Sequence, residues 1–320
     1  MPDLDKLPMG ECFELESSID GRSQYARVTE IAASLRRLEV DGIALIQDYP
    51  SDARPPFCAG WVLVPWPNRV ADGRWNYAGV TQQLDITEPG GNNALHGLLA
   101  YTPYRTTART RSSVTLAADV VPQHGYPFEL ETSVHYQLVE DGLVATHILK
   151  NVGTRDAPVA VGAHPFLRLG TVPTEDLKLF IAADTHIEMD HRLIPTGATT
   201  SVGETPNDFR SGRTVGTVAL DDAWADVHRG LDGRSAHYLE APDGSQVRLH
   251  MDDAFGYIQA FTTQRFPADN GMVTAVAVEP MTAPPDAFNN GQGLRWLAPG
   301  EIWQLTWSIN YRRPSSGTNP

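Results

Sequence analysis

Residues 128–152 read FELETSVHYQLV (128–139), Glu140-Asp141-Gly142, then LVATHILKNV (143–152). In the first run the apolar residues Phe128, Leu130, Val134, Tyr136 and Leu138 alternate with Glu129, Glu131, Ser133, His135 and Gln137. That two-residue period belongs to a strand with one buried face. The second run is rich in β-branched and long apolar residues, and the Asp-Gly between the two is a favoured hairpin turn. The stretch predicts a β-hairpin.

The same character extends outward in both directions. Residues 114–120 precede the hairpin and 158–169 follow it, and 176–183, 237–241, 246–251, 257–262, 273–278 and 301–311 continue the theme. Helical periodicity is weak. Its best candidate, 31–38, reads as easily as strand because Val40-Asp41-Gly42 follows as a turn, and 24 prolines with 27 glycines interrupt the chain too often for long helices. The expected fold is all-β. A chain of 320 residues fits one large β-sandwich, and no repeat, low-complexity tract or linker divides it. One domain over 1–320 is therefore expected, with a core at about 20–312, the ends looking dispensable by composition.

Composition narrows the function. Hydrophobic residues make up 41% and charged residues 20%, a globular mixture with no stretch near the roughly 18 apolar residues of a membrane span. No membrane partner is expected. The opening Met-Pro-Asp-Leu-Asp-Lys lacks the basic flank and apolar core of a signal peptide. The two cysteines, Cys12 and Cys58, form no metal-ligand spacing or disulfide framework. A cytoplasmic location is expected. A net charge of -14 disfavours nucleic acid, whose phosphates require a basic surface.

The nucleophile elbow Gly-x-Ser-x-Gly, the phosphate loop Gly-x-x-x-x-Gly-Lys, the dinucleotide fingerprint Gly-x-Gly-x-x-Gly and the metalloprotease His-Glu-x-x-His are all missing. Five polar sites set among apolar or turn-forming residues remain. In Pro65-Trp66-Pro67-Asn68-Arg69-Val70, the Arg69 fork suits vicinal hydroxyls or a carboxylate, and Trp66 offers a flat face to a sugar, unless both are structural. His96 follows the Gly90-Gly91-Asn92-Asn93 turn, from which a loop can present it to a cavity. In Ala160-Val161-Gly162-Ala163-His164-Pro165, an extended chain puts Ala160, Gly162 and His164 on one face, the small residues leaving room for a ligand. Glu279 ends the apolar run Val276-Ala277-Val278, where burial raises a carboxyl towards the range of a useful base. Asp221 and Asp222 enter an apolar context at Leu220-Asp221-Asp222-Ala223-Trp224; either can accept from a sugar hydroxyl, and a solvated turn is the plainer reading.

Taken in order, Asn68-Arg69, Asn93-Ala94-Leu95-His96-Gly97, His164-Pro165-Phe166, Leu220-Asp221-Asp222, Glu279-Pro280 and Pro285-Asp286-Ala287-Phe288-Asn289 resemble the aldose 1-epimerase (galactose mutarotase) family over about 28–311. The resemblance implies a galactose mutarotase-like β-supersandwich, a site in its open groove, a small-molecule sugar as substrate, and no required metal or cofactor. It also implies roles: Glu279 as general base, His164 as general acid, and Arg69, His96 and Asp221 as sugar-positioning residues, with Asp222 adjacent to the last. The Pro-Trp-Pro-Asn-Arg run is similar to a bacterial branch that includes proteins acting on sulfoquinovose, so a modified sugar is an alternative substrate. A catalytically silent sugar-binding module on the same fold is the alternative of a different class. A hexose-6-phosphate epimerase would need more cations than Arg69, and a glycosidase would need two carboxylates flanking a bond.

Overall fold

The computed structural model describes residues 8–314. Residues 1–7 and 315–320, part of the ends read as dispensable, lie outside the described residues. Strands dominate, and among the described residues the one α-helix is the four-residue Ala287–Asn290.

The hairpin forms from Leu130–Val139 and Gly142–Asn151, paired antiparallel from Leu130↔Asn151 to Val139↔Gly142. Its alternation is that of the sequence: Leu130, Val134, Tyr136 and Leu138 are buried, each against the main apolar core. Truncating one of these leucines to alanine costs about 2–5 kcal/mol. The turn, however, falls on Glu140 and Asp141. Gly142 opens the second strand instead, where a Cβ would collide with the carbonyl oxygen of Ile309 on the neighbouring strand. Close backbone approach, not turn geometry, requires this glycine.

The hairpin lies in a nine-stranded sheet ordered Arg105–Arg109, Ser113–Val120, Leu130–Val139, Gly142–Asn151, Ile302–Arg312, Gln246–Met251, Ser235–Glu240, Lys178–Phe180, Arg213–Thr214. A second, eight-stranded sheet runs Pro195–Ser201, Ala183–Met189, Asp221–Val227, Tyr257–Ala268, Gly271–Met281, Gly162–Ala163, Val62–Leu63, with Phe166–Leu167 also paired to Gly271–Met281. One apolar cluster joins the two, with Val134 and Leu305 from the first and Ile258, Val276 and Val278 from the second. The alternate residues of the second sheet therefore face away from this core.

Three segments differ from their sequence reading. Residues 31–38 resolve into the strand Leu35–Val40 after a turn with Ala32 and Ala33 at positive φ. The run 158–169 breaks into Ala157–Val159, Gly162–Ala163 and Phe166–Leu167; Pro165 removes a ladder donor at the second break, while Pro158 stays within the first strand, opposite Trp296. The first residues contribute more than their composition suggests: Cys12–Ile19 pairs along its whole length with Arg22–Thr29 in a four-stranded sheet and buries Phe13 and Leu15.

Candidate active site

Register assembles the site. Gly271–Met281 and Tyr257–Ala268 pair Glu279 with Gln259 and Ala277 with Phe261. Tyr257–Ala268 and Asp221–Val227 pair Phe261 with Asp221. Since Val276, Val278, Ile258 and Ala260 point into the main core, Glu279, Gln259 and Asp221 share the opposite face. On the other side of Glu279, Gly162 pairs with Met281 and Phe166 with Ala277, so His164 falls between them and beside the carboxylate.

His164 Nε2 stands 3.3 Å from Glu279 Oε1, and both side chains are buried. The backbone of His164 is held twice: its N–H donates to the Trp61 carbonyl at 3.1 Å and its carbonyl accepts from the Gly60 N–H at 2.8 Å. Glu279 Oε2, His164 Nδ1 and Gln259 Oε1 are buried without a protein partner among the described residues. A buried, unsatisfied polar atom costs about 1–3 kcal/mol, so three in one cluster call for a partner such as water or a polar ligand.

His96 sits at positive φ at the end of Asn93–Leu95, with its ring edge-on to His164 at 5.3 Å between centroids. Its Nδ1 accepts from the Asn68 N–H at 3.1 Å, so in neutral imidazole the proton lies on Nε2. His96, His164 and Glu279 bring one ligand-type atom each within 4.8 Å of the others. Tetrahedral coordination would need these atoms about 3.3 Å apart and an unprotonated nitrogen on each ring. With Asn68 holding the proton on Nε2, His96 is a hydrogen-bond donor, and the trio does not fit a metal.

Arg69, on the strand Arg69–Ala71, spends its Nε edge on Glu88: Nε donates to Oε1 at 3.1 Å and Oε2 at 3.0 Å, and Nη2 to Oε1 at 2.9 Å. Nη2 also approaches Asp221 Oδ2 at 3.5 Å. Gln259 Nε2 donates to Asp221 Oδ1 at 2.6 Å.

Burial dominates the electrostatics. It pushes Glu279 well above the ordinary carboxylate range, with Asp221 adding to the rise and Arg69 opposing it. It pushes His164 down to about 3, with Arg69 contributing, and drives His96 well below its ordinary value, helped by His164 and Arg69. The favoured state of the pair is neutral: imidazole beside carboxylic acid. Burial above all pushes the Cys58 thiol up to about 12, which removes it as a thiolate nucleophile near neutral pH.

The structure thus gathers Arg69, His96, His164, Asp221 and Glu279 in one cluster. Asp222 is not among them: it lies on the other face of an extended strand, where its Oδ1 is 2.8 Å from His186 Nε2. The solvated-turn reading of 220–224 gives way to the strand Asp221–Val227. Trp66 is no sugar platform; it is 2% exposed and packs on Phe288 and Tyr126. Nor do the small residues make room for a ligand: a Cβ on Gly162 would meet Pro67 Cβ at 2.7 Å, and Ala160 packs on Ala283 and Ala287. Sequence reasoning missed Gln259 and Glu88. A glutamine inside an apolar strand was the available signal for the first; Glu88, ahead of Pro89-Gly90-Gly91, reads only as a turn residue.

Residues 33–310 match the family model described as aldose 1-epimerase. Human galactose mutarotase is 30% identical over 278 residues, covering 81% of this chain and 78% of that protein. The Escherichia coli K12 protein YihR, itself named only as uncharacterized, is 30% identical over 303 residues, 94% of this chain and 95% of that one. Among solved structures, the GalM/aldose epimerase homologue from C. elegans shares the fold at a TM-score of 0.79 and 17% identity, covering 95% of this chain and 100% of that chain. By the extent of the family match, and with the all-β architecture it requires, this chain belongs to the aldose 1-epimerase family.

Proposed function

We propose that this protein is a mutarotase that interconverts the α and β anomers of a free aldose by acid–base ring opening and closure. The observation that carries the reading is the buried His164–Glu279 pair, Nε2 to Oε1 at 3.3 Å, which holds one exchangeable proton between two groups of opposite tendency.

Ring opening removes the proton of the anomeric hydroxyl and delivers one to the ring oxygen. Glu279 as carboxylate takes the first, and His164 as imidazolium gives the second. The pair is then carboxylic acid and neutral imidazole, the state that burial favours. After rotation about C1–C2, that neutral pair closes the ring onto either face: His164 accepts the O5 proton and Glu279 returns one to O1. The proton count is conserved over the cycle, so no cofactor is consumed. Arg69, Asp221 and the Nε2–H of His96 supply donors and acceptors for the sugar hydroxyls.

A silent binding module would have no use for a buried carboxyl and imidazole held in contact, each shifted against its charged form. Polarimetry or NMR on freshly dissolved α-glucose, α-galactose, α-xylose and α-sulfoquinovose tests the reading and identifies the sugar. Equilibration no faster than the spontaneous rate with every sugar would refute the activity.

A further inference from the structure

We infer that Glu88 is a positioning residue of this site: it holds the Nε edge of Arg69, fixing which edge meets the sugar and how much of the guanidinium charge Glu279 feels. The inference rests on the mutarotase reading for its sugar but not for its electrostatics.

Arginine has five N–H donors in a rigid fork. Glu88 takes Nε and one Nη2 position, Nη2 reaches Asp221 only at 3.5 Å, and Nη1 has the Asn68 side-chain oxygen at 3.4 Å as its contact. The Nη1 edge is therefore the weakly engaged one. Glu88 is itself fixed: Asn93 Nδ2 donates to its Oε2 at 2.8 Å, and Arg192 Nη2 donates to Asn93 Oδ1 at 3.1 Å and to Asp72 Oδ1 at 2.8 Å. Backbone bonds between Glu88 and Asn93 close the loop on both sides. Burial acts to raise the Glu88 carboxyl, and the bonds from Arg69 and Asn93 outweigh it and keep it ionised.

Without that carboxylate, Asp221 is the nearest counter-charge to Arg69. The guanidinium would swing onto Asp221, compete with Gln259 there, and occupy the acceptor meant for a sugar hydroxyl. With the Glu88 charge gone, the cluster around Glu279 would also be one unit more positive. The groups that face Glu279 are His164 from 162–167, His96 after Asn93–Leu95, Cys58 from the turn Pro56–Cys58, and Arg69, Asp221 and Gln259. Arg69 is the cation in that set, so its masking sets the local field.

The test uses Glu88→Gln and Glu88→Asp in the full chain. The Glu279 carboxyl is titrated by carbon-13 NMR, assigned through Glu279→Gln, alongside sugar kinetics and Tm. Glu88→Gln should lower the pH at which Glu279 loses its proton by about half a pH unit or more and raise KM about fivefold or more with a smaller change in kcat. Glu88→Asp keeps the charge but shortens the arm, so it should leave the Glu279 titration in place and still raise KM. A folded Glu88→Gln with wild-type titration and wild-type KM would overturn the inference, as would a Glu88→Asp with wild-type KM. Absence of mutarotation in the wild type would end the mutarotase reading, while the carboxyl titration would still judge the masking by Glu88.

Discussion

His164 and Glu279 face each other at 3.3 Å with side chains 6% and 2% exposed, while Arg69, the nearby cation, is already gripped by Glu88. A buried carboxylate without its own counter-ion is held against its preferred state. Glu279 can therefore take up a proton readily, and His164, pushed the other way by burial, can release one. The cost falls on stability and the benefit on proton transfer.

Glu279→Gln should keep the fold and lower kcat by about 10²-fold or more, since the amide preserves shape but cannot take a proton. It should also stabilise the protein near neutral pH. A carboxyl whose folded-state pKa is raised stabilises fully below its unfolded pKa, and that contribution is lost as pH rises through the folded value. Wild type and variant should have similar Tm at about pH 4, and the variant should melt ~2 °C or more higher at about pH 8. Near wild-type turnover would remove Glu279 as the base, and a lower variant Tm at pH 8 would remove the burial argument.

His164→Asn should retain sugar affinity within a few-fold and lose about 10²-fold in kcat, because an amide can neither give nor recover a proton at the ring oxygen. If His164 only braces the chain, Tm would fall while turnover by the folded fraction stayed normal. Melting and kinetics on one preparation distinguish these outcomes.

Strand content was legible because one buried face writes its period into the sequence, as Leu130, Val134, Tyr136 and Leu138 do. The period survives even where strands break: Val159, Val161, Ala163, Leu167 and Leu169 all reach the main core across the interrupted 157–169 segment. Separating Asp221 from Asp222 requires knowing that 221–227 is extended, and two adjacent aspartates look like a turn. Gly162 and Trp66 were misleading for a shared reason. Smallness and flatness suit a ligand or a close-packed interior equally, and here Pro67 and Phe288 fill the space. Glu88 was illegible because its link to the site runs through Arg69, a long-range partner 19 residues away.

Arg69→Ala should raise KM about tenfold or more and change kcat less, as a guanidinium stays protonated and has no part in proton transfer. Hydrogen bonds to a charged group are worth about 1.5–3 kcal/mol, which sets that scale. The variant also leaves Glu88 and Asp221 without their shared cation, so Tm should fall. Arg69→Lys should recover much of the Tm but little of the KM, because an ammonium restores charge without the fork that holds both Glu88 oxygens. An unchanged KM with a collapsed kcat would contradict a recognition role.

The pH profile should be a plateau, and the sign of each limb follows from the pair. The competent form carries one proton on His164 and Glu279 together, so the limbs report gain of a second proton and loss of the first. Gain of the second means protonating the imidazole beside a neutral acid, which burial and Arg69 hold down to about 3. Activity should therefore persist below pH 6, where an ordinary histidine would already be charged. Loss of the first means ionising Glu279, which burial and then Asp221 hold well above the ordinary carboxylate value. The alkaline limb should accordingly lie well above about pH 4.5. Measuring kcat/KM from about pH 4 to 9, with the spontaneous and buffer-catalysed rates subtracted, checks both. An acid limb centred near about 6.5 would assign the essential proton to a solvated histidine and refute the shared-proton pair. An activity already lost by about pH 5 on the alkaline side would show that Glu279 ionises like an exposed carboxylate, contrary to its burial.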